Sequence, residues 1–346
     1  MPTAEPAARR LRIGVFGAGS IGCYVGGRLM AAGAADVVLV GRPRQRDVLA
    51  AHGLVVQDFD GPAATVPAEQ VAFATATGAL ADCDVVLCCV KSQHTADAAR
   101  ELATVLRPDC VVASLQNGVR NPDTLREHLG PRLVVASIVT WNVVVVGHTF
   151  RRATSGPLMI EATAPALAAA VRAAGIPVEV HADLAPEQWT KLLVNLNNAV
   201  SALSDASTAT LLLTPGYRRA IAALVAEGLR VVRASGVRPA RWNGVPLGLM
   251  PKVLRLPTPL VRLVTRAQLK VDPAARSSMW QDLDARRPTE VDYLNGEIVR
   301  VAEAAGGDAP LNRRIVALIR AAEAANLGSP ALGPDALWQA LTAPAP

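Results

Sequence analysis

Lysine is almost missing from this chain. Of 35 basic residues only Lys91, Lys191, Lys252 and Lys270 are lysines, so each deserves individual inspection. Aromatic residues are equally sparse at 3%, while 51% of the chain is hydrophobic, so any core must be aliphatic and alanine-rich. The five cysteines form no C-x-x-C pair, which excludes a zinc ribbon or a dithiol redox motif. They lie in or beside apolar segments and read as buried free thiols of a reducing compartment. The five histidines have no ligand spacing, which argues against a metal. No apolar run approaches the roughly 18 residues of a membrane span. The formal charge is +6, but no basic cluster is interleaved with aromatics, so nucleic acid is excluded and an anionic small molecule is favoured. Residues 1–10 lack the apolar stretch of a signal peptide and read as a frayed tail.

What is present begins at Arg12. A short apolar run, Ile13-Gly14-Val15-Phe16, enters Gly17-Ala18-Gly19-Ser20-Ile21-Gly22 and then a small-residue helical stretch. The glycines are spaced G-x-G-x-x-G between a strand and a helix. In that setting Gly17 makes the tight turn, Gly19 leaves room for a pyrophosphate, and Gly22 lets helix and sheet pack closely. Dinucleotide binding follows, with a glycine-rich structural turn as the plain alternative. Strand two, Asp36–Val40, ends in Gly41-Arg42-Pro43-Arg44-Gln45-Arg46. The acid expected there for NAD is absent. An arginine at Arg42 suits a 2′-phosphate, which favours NADP(H); Arg44 or Arg46 could serve instead, or the loop is merely solvated.

Further continuous apolar runs, Val85–Val90 and Val111–Leu115, have the pattern of a parallel sheet. They stop at Lys91 and Asn117, at strand ends where ligands gather. Val143–Val146 and Leu158–Glu161 read as antiparallel additions with a turn near Arg151–Gly156. After Pro186 the periodicity becomes helical, with helices expected near 187–204, 217–234, 259–270, 289–305 and 311–326, and a broken connection over 237–260. An α/β Rossmann-like N-terminal domain followed by an all-α domain is expected. The boundaries are 11–183 and 184–328, with 1–10 and 329–346 as tails, the second with a short helix expected at 336–343, and a cleft at the join.

Two clusters in the helical half carry polar residues in apolar surroundings. Lys191, Asn195 and Asn198 have i, i+4, i+7 spacing and share a helical face. Buried asparagines need partners, so this stripe points to a ligand. The other cluster runs from Ser277-Ser278-Met279 to Glu290-Val291-Asp292-Tyr293-Leu294-Asn295-Gly296. Thr289 or Pro288 could start a helix with Glu290 and Asp292 in its first turn, or Glu290 could stand beside the lysine or the substrate.

In this order the glycine loop, Val90-Lys91-Ser92, Leu115-Gln116-Asn117-Gly118, Lys191–Asn195 and the Ser277–Gly296 cluster resemble the ketopantoate reductase family over residues 11–327. The resemblance implies a cytoplasmic NADPH-dependent enzyme that reduces 2-dehydropantoate to (R)-pantoate for pantothenate and coenzyme A synthesis. It also implies a helical domain like that of 6-phosphogluconate dehydrogenase, and a monomer or homodimer. Lys191 looks like the family's catalytic lysine and Glu290 like its acid. Lys91 and Asn117 match cofactor-side residues, and Asn195 and Ser278 match substrate-binding positions. One departure is that Ala199 stands where well-studied members carry a second helical asparagine, with Asn198 beside it. The remaining alternatives are an NADP-dependent oxidoreductase on another branched 2-oxo or 2-hydroxy acid, and a non-catalytic NADP(H)-binding regulator.

Overall fold

The computed structural model describes residues 10–58, 60–242, 244–265 and 276–343. The tail expected over residues 1–9, the end of the helix expected at 259–270, and Lys270 lie outside them. The chain divides into two compact units, Met1–Gln116 with Arg120–Leu184, and Asn117–Val119 with Ala185–Pro346.

The first unit contains β1 (Arg12–Phe16), β2 (Asp36–Val40), β3 (Leu54–Gln57), β4 (Ala63–Val66), β5 (Phe73–Ala74), β6 (Val85–Cys88), β7 (Val111–Ser114), β8 (Val134–Val139), β9 (Val143–Val146), β10 (Thr149–Arg152), β11 (Leu158–Glu161) and β12 (Val178–His181). Its helices are α1 (Ser20–Ala31), α2 (Pro43–His52), α3 (Thr95–Val105), α4 (Asn121–Leu129) and α5 (Pro165–Ala173). Eight strands form one sheet in the order β12-β11-β8-β7-β6-β1-β2-β5, parallel except where β11 runs against β8. β6 is buried throughout and β1 nearly so, which is why both are unbroken apolar runs. A second sheet, β4-β3-β10-β9, includes the strand β4 that no sequence pattern announced.

The irregular segment between β10, which ends at Arg152, and β11, which begins at Leu158, matches the turn expected near Arg151–Gly156, while β10 itself is a strand that the sequence pattern did not show. β10 pairs antiparallel with β9, and the chain reverses at Gly147, whose φ is +60°. The charge of Arg152 disguised the strand. Its guanidinium is buried, bonded to Asp58 at 3.1 Å and to the Gly156 carbonyl at 2.6 Å, and it lies 4.7 Å over the Trp141 ring.

The second unit is built on α6 (Ala185–Asn195), α7 (Asn197–Ser204), α8 (Thr208–Leu213), α9 (Pro215–Ala234), α10 (Met250–Leu254), α11 (Thr258–Val264), α12 (Ser278–Asp284), α13 (Asn295–Ala304), α14 (Pro310–Ala325) and α15 (Pro334–Thr342). α9 is the central helix, with buried residues spread around most of its circumference. The broken connection at 237–260 contains a small hairpin, Arg241–Trp242 with Val245–Pro246, and α10. It is pinned by the buried Arg218 of α9. That guanidinium donates to the carbonyls of Leu212, Leu254 and Leu256 and to Thr258 Oγ1, over 2.9–3.2 Å.

Two helix boundaries depart from the sequence pattern. The helix expected at 187–204 is interrupted at Leu196 between α6 and α7, where asparagine side chains can compete for backbone partners. The helix expected from 289 starts only at Asn295, and Glu290 precedes a single 3-10 turn, Val291–Tyr293. The short helix expected at 336–343 in the C-terminal tail is α15, which starts two residues earlier, at Pro334. Its Leu337 and Leu341, one helical turn apart, are buried, and Tyr217 Oη donates to the Leu332 carbonyl at 3.0 Å.

Candidate active site

In the first unit the glycine loop follows β1. Gly17 has φ +102°, and a Cβ there would meet the backbone of Cys89 and Val90 at 2.8 Å. The N–H groups of Gly17 and Ala18 both donate to the Val40 carbonyl at 3.0 Å, which closes the turn. A Cβ on Gly22 would collide with the Gly17 carbonyl and lie 2.8 Å from Val15, whereas one on Gly19 would meet nothing within 4 Å. The loop is thus tight beneath and open above, the cradle that a pyrophosphate needs at the start of α1, which begins at Ser20 and Ile21.

Gly41 explains the missing acid. A Cβ at this position would lie 2.7 Å from the Ala18 Cβ, so a carboxylate side chain does not fit between β2 and the glycine loop. Arg42 follows as the exposed residue preceding α2 and is not used as a side-chain cap. Arg46 is bonded to Asp47 at 2.8 Å. Lys91 sits past the carboxyl end of β6, half-buried, before a short turn at Ser92–His94. The loops after β6 and β7 are tied by a buried chain of hydrogen bonds that the motif reading did not include. Gln116 Nε2 donates to the Val90 carbonyl and to Thr95 Oγ1, at 3.0 and 2.7 Å. Thr95 then donates to Asn121 Oδ1 at 2.8 Å, and Asn121 Nδ2 to Ser92 Oγ at 3.0 Å.

The second unit holds the candidate catalytic cluster. Lys191, in α6, is half-buried and donates to Asn117 Oδ1 at 3.0 Å. Asn117 Nδ2 is 3.4 Å from Glu290 Oε2, and Glu290 is buried. The amide can take only this orientation, because an ammonium only donates and a carboxylate only accepts. Burial pulls the Lys191 pKa down to about 8, and the charge of Glu290 opposes that fall. An amine poised near neutrality can give up a proton to a developing oxyanion and take one back. Asn117 was expected on the cofactor side. Its bridging position between lysine and acid was not foreseeable from spacing, since the adjacency of Gln116 and Asn117 was the only local hint.

Asn195 closes α6 one turn beyond Lys191 and is half-buried. Asn198 lies in α7, so the single stripe is split between two helices, and Ala199 is fully buried in the core. Two adjacent serines separate by function. Ser277 Oγ accepts the Trp280 N–H and donates to the Asn198 carbonyl, both at 3.1 Å, so it caps α12 and ties it to α7. Ser278 is the first residue of α12 and its hydroxyl stands outside that capping arrangement. Elsewhere burial pushes the Cys23 and Cys88 thiols up to about 12, as expected of inert free cysteines. Among the described residues no helix is long and apolar enough to cross a membrane.

Comparison with known proteins supplies independent findings. The family model for ketopantoate reductase PanE/ApbA matches residues 13–165, and that for its C terminal matches 183–323. The chain is 31% identical to a 2-dehydropantoate 2-reductase of Halobacterium salinarum over 325 residues, covering 90% of this chain and 99% of the relative. A crystal structure of a PanE/ApbA family ketopantoate reductase from Ralstonia eutropha is similar at TM-score 0.78 and 32% identity, covering 91% of this chain and 99% of that one. D-mandelate dehydrogenase, solved with NADH and anilino(oxo)acetate, shares the fold at TM-score 0.76 and 19% identity, covering 91% of this chain and 99% of that one.

Proposed function

The chain belongs to the ketopantoate reductase family, a family of oxidoreductases, and from that premise we propose that it reduces 2-dehydropantoate to (R)-pantoate with NADPH. Gly17, Ala18, Gly19, Ser20, Ile21 and Gly22 hold the pyrophosphate, Arg42 meets the 2′-phosphate and Lys91 adds positive charge near the cofactor. The bound dinucleotide supplies the hydride that reduces the C2 ketone. As the ketone is reduced, negative charge grows on its oxygen. The Lys191 ammonium stabilises that charge and delivers the proton. Asn117 fixes the direction of the ammonium, and Glu290 keeps it protonated in its desolvated setting. Asn195 and Asn198 orient the substrate hydroxyl, and Ser278 binds the carboxylate. The observation that carries this reading is the Lys191–Asn117–Glu290 chain of hydrogen bonds, a proton donor with its orienting group and its counter-charge. The proposed setting is the cytoplasmic synthesis of pantothenate and coenzyme A, by a monomer or homodimer.

One observation favours a second substrate within the same reaction. Ala199 is buried in the core, so that position offers no amide to a ligand, and a different branched 2-oxo acid fits a pocket altered there. The test is NADPH oxidation with 2-dehydropantoate beside a panel of branched 2-oxo acids. Turnover of 2-dehydropantoate with the highest kcat/KM supports the first reading. Inactivity with it beside strong activity on another member keeps the reaction and rejects the substrate.

A further inference from the structure

The loop that carries Glu290 has little regular structure of its own. Arg286 adopts φ +54°, Glu290 itself has φ −98° and ψ 25°, and the following 3-10 turn is three residues long. A buried carboxylate on such a loop needs support from elsewhere. Two side chains of α14, three positions apart and on one face of that helix, grip the loop on either side of Glu290. Glu323 Oε1 accepts the Thr289 N–H at 2.7 Å. Arg320 donates to Asp292 Oδ1 at 2.9 Å. The two ties differ in weight. Arg320 and Asp292 are largely exposed, so their ion pair contributes little. Thr289 is buried, and its N–H bond to a carboxylate is charge-assisted and partly shielded from water. Thr289 Oγ1 in turn accepts the Val291 N–H at 3.3 Å, which carries the constraint across Glu290.

We propose that Glu323 is a positioning residue for Glu290: by accepting the Thr289 N–H it fixes the loop in the conformation from which the Glu290 carboxylate reaches Asn117 and, through it, Lys191. This rests on the roles given to Lys191 and Glu290 above. It adds a residue that touches neither substrate nor cofactor and acts through backbone alone.

The test uses the full chain as wild type, Glu323→Ala and Glu323→Gln, with two readouts. One is kcat and KM for NADPH-dependent reduction of the best 2-oxo acid. The other is the titration midpoint of the Lys191 amine, read from the pH dependence of its acetylation by acetic anhydride and peptide mass spectrometry, which requires no substrate. Glu290 is the charge acting on Lys191, and it raises the pKa, so displacing it lowers the midpoint. Glu323→Ala should lower kcat about tenfold, leave the KM for NADPH within about twofold, and move the Lys191 midpoint down by about half a pH unit or more. Glu323→Gln keeps an acceptor oxygen and should restore both. An unchanged midpoint and kcat in Glu323→Ala overturns the proposal, as does a Glu323→Gln variant as impaired as the alanine. If Glu323→Ala fails to fold, Glu323→Met, which keeps the side-chain length and loses the acceptor oxygen, should show the same downward shift, and no shift overturns the proposal. A wild type inactive on every 2-oxo acid rejects the reading of the reaction, while the acetylation titration still judges the Glu323 link.

Discussion

Lys191 and Asn117, 74 positions apart in sequence, meet at 3.0 Å, and the other end of the same amide faces Glu290 at 3.4 Å. The three residues come from a helix, a loop that follows a strand of the first unit, and an irregular segment before α13. One amide therefore sets the direction of the ammonium and its distance from the carboxylate.

Lys191→Ala removes the proposed proton donor without touching the glycine loop. We expect kcat to fall by roughly 10²–10⁴. The NADPH dissociation constant, measured by fluorescence titration, should stay within about threefold. Equal, undetectable turnover of wild type and variant across a broad 2-oxo acid panel, with NADPH binding intact in both, would favour a regulatory protein over an enzyme.

The pH dependence has a defined sign. In the proposed mechanism Lys191 must be protonated for reduction, and burial lowers its pKa to about 8, so kcat for reduction should decline as pH rises through about 8. The reverse oxidation needs the neutral amine and should rise over the same interval. Stability follows the same linkage. The folded pKa is below the 10.5 of an exposed lysine, so the unfolded chain binds more protons between about 8 and 10.5, and this group's destabilising contribution is relieved as pH rises through that window. Rate profiles in both directions from pH 6 to 10 check the first part, and melting curves over the same range check the second.

Glu290→Gln should lower kcat/KM and move the reduction limb to lower pH, because it removes the charge that raises the Lys191 pKa. Combined with Lys191→Ala its effect should be strongly non-additive. Glu290 stands before a 3-10 turn and not in the first turn of α13, so a helix-dipole role worth about 0.3–1 kcal/mol is not its main contribution. Additive losses with a normal pH profile would remove it from the active site.

Arg42→Asp should raise the KM for NADPH far more than that for NADH. It replaces an attraction for the 2′-phosphate by a repulsion at an exposed position. Steady-state kinetics with each cofactor at fixed substrate check this, and an unchanged ratio transfers the role to Arg44 or Arg46.

The two serines should part company under mutation. Ser277→Ala loses the cap of α12 and should cost about 0.5–2 kcal/mol of stability, seen in the melting temperature. Ser278→Ala should leave the melting temperature unchanged and raise the KM for the 2-oxo acid. The reverse assignment of the two effects would exchange their roles.

Whatever is encoded within a few neighbouring residues was legible in the sequence. The glycine loop could be read because φ at Gly17 and the clearances at Gly19 and Gly22 are properties of one turn. β1, β6 and β7 could be read because burial on both faces of a parallel sheet leaves unbroken apolar runs. Lys191 stood out because a polar stripe in an aliphatic helix is costly unless it is used. Tertiary structure decided what depends on a distant partner. Arg152 sits in a strand because Asp58 and Trp141 receive its charge, and the short C-terminal helix α15, legible as a helix, joins the core because Tyr217 and α9 offer it a surface. Asn117 joins Lys191 to Glu290, and Glu323 reaches Thr289, across separations over which chain spacing carries no geometric information. A hydrogen bond acts over about 3 Å, whereas sequence periodicity reports only which face of an element a residue occupies, not which residue of another element will meet it.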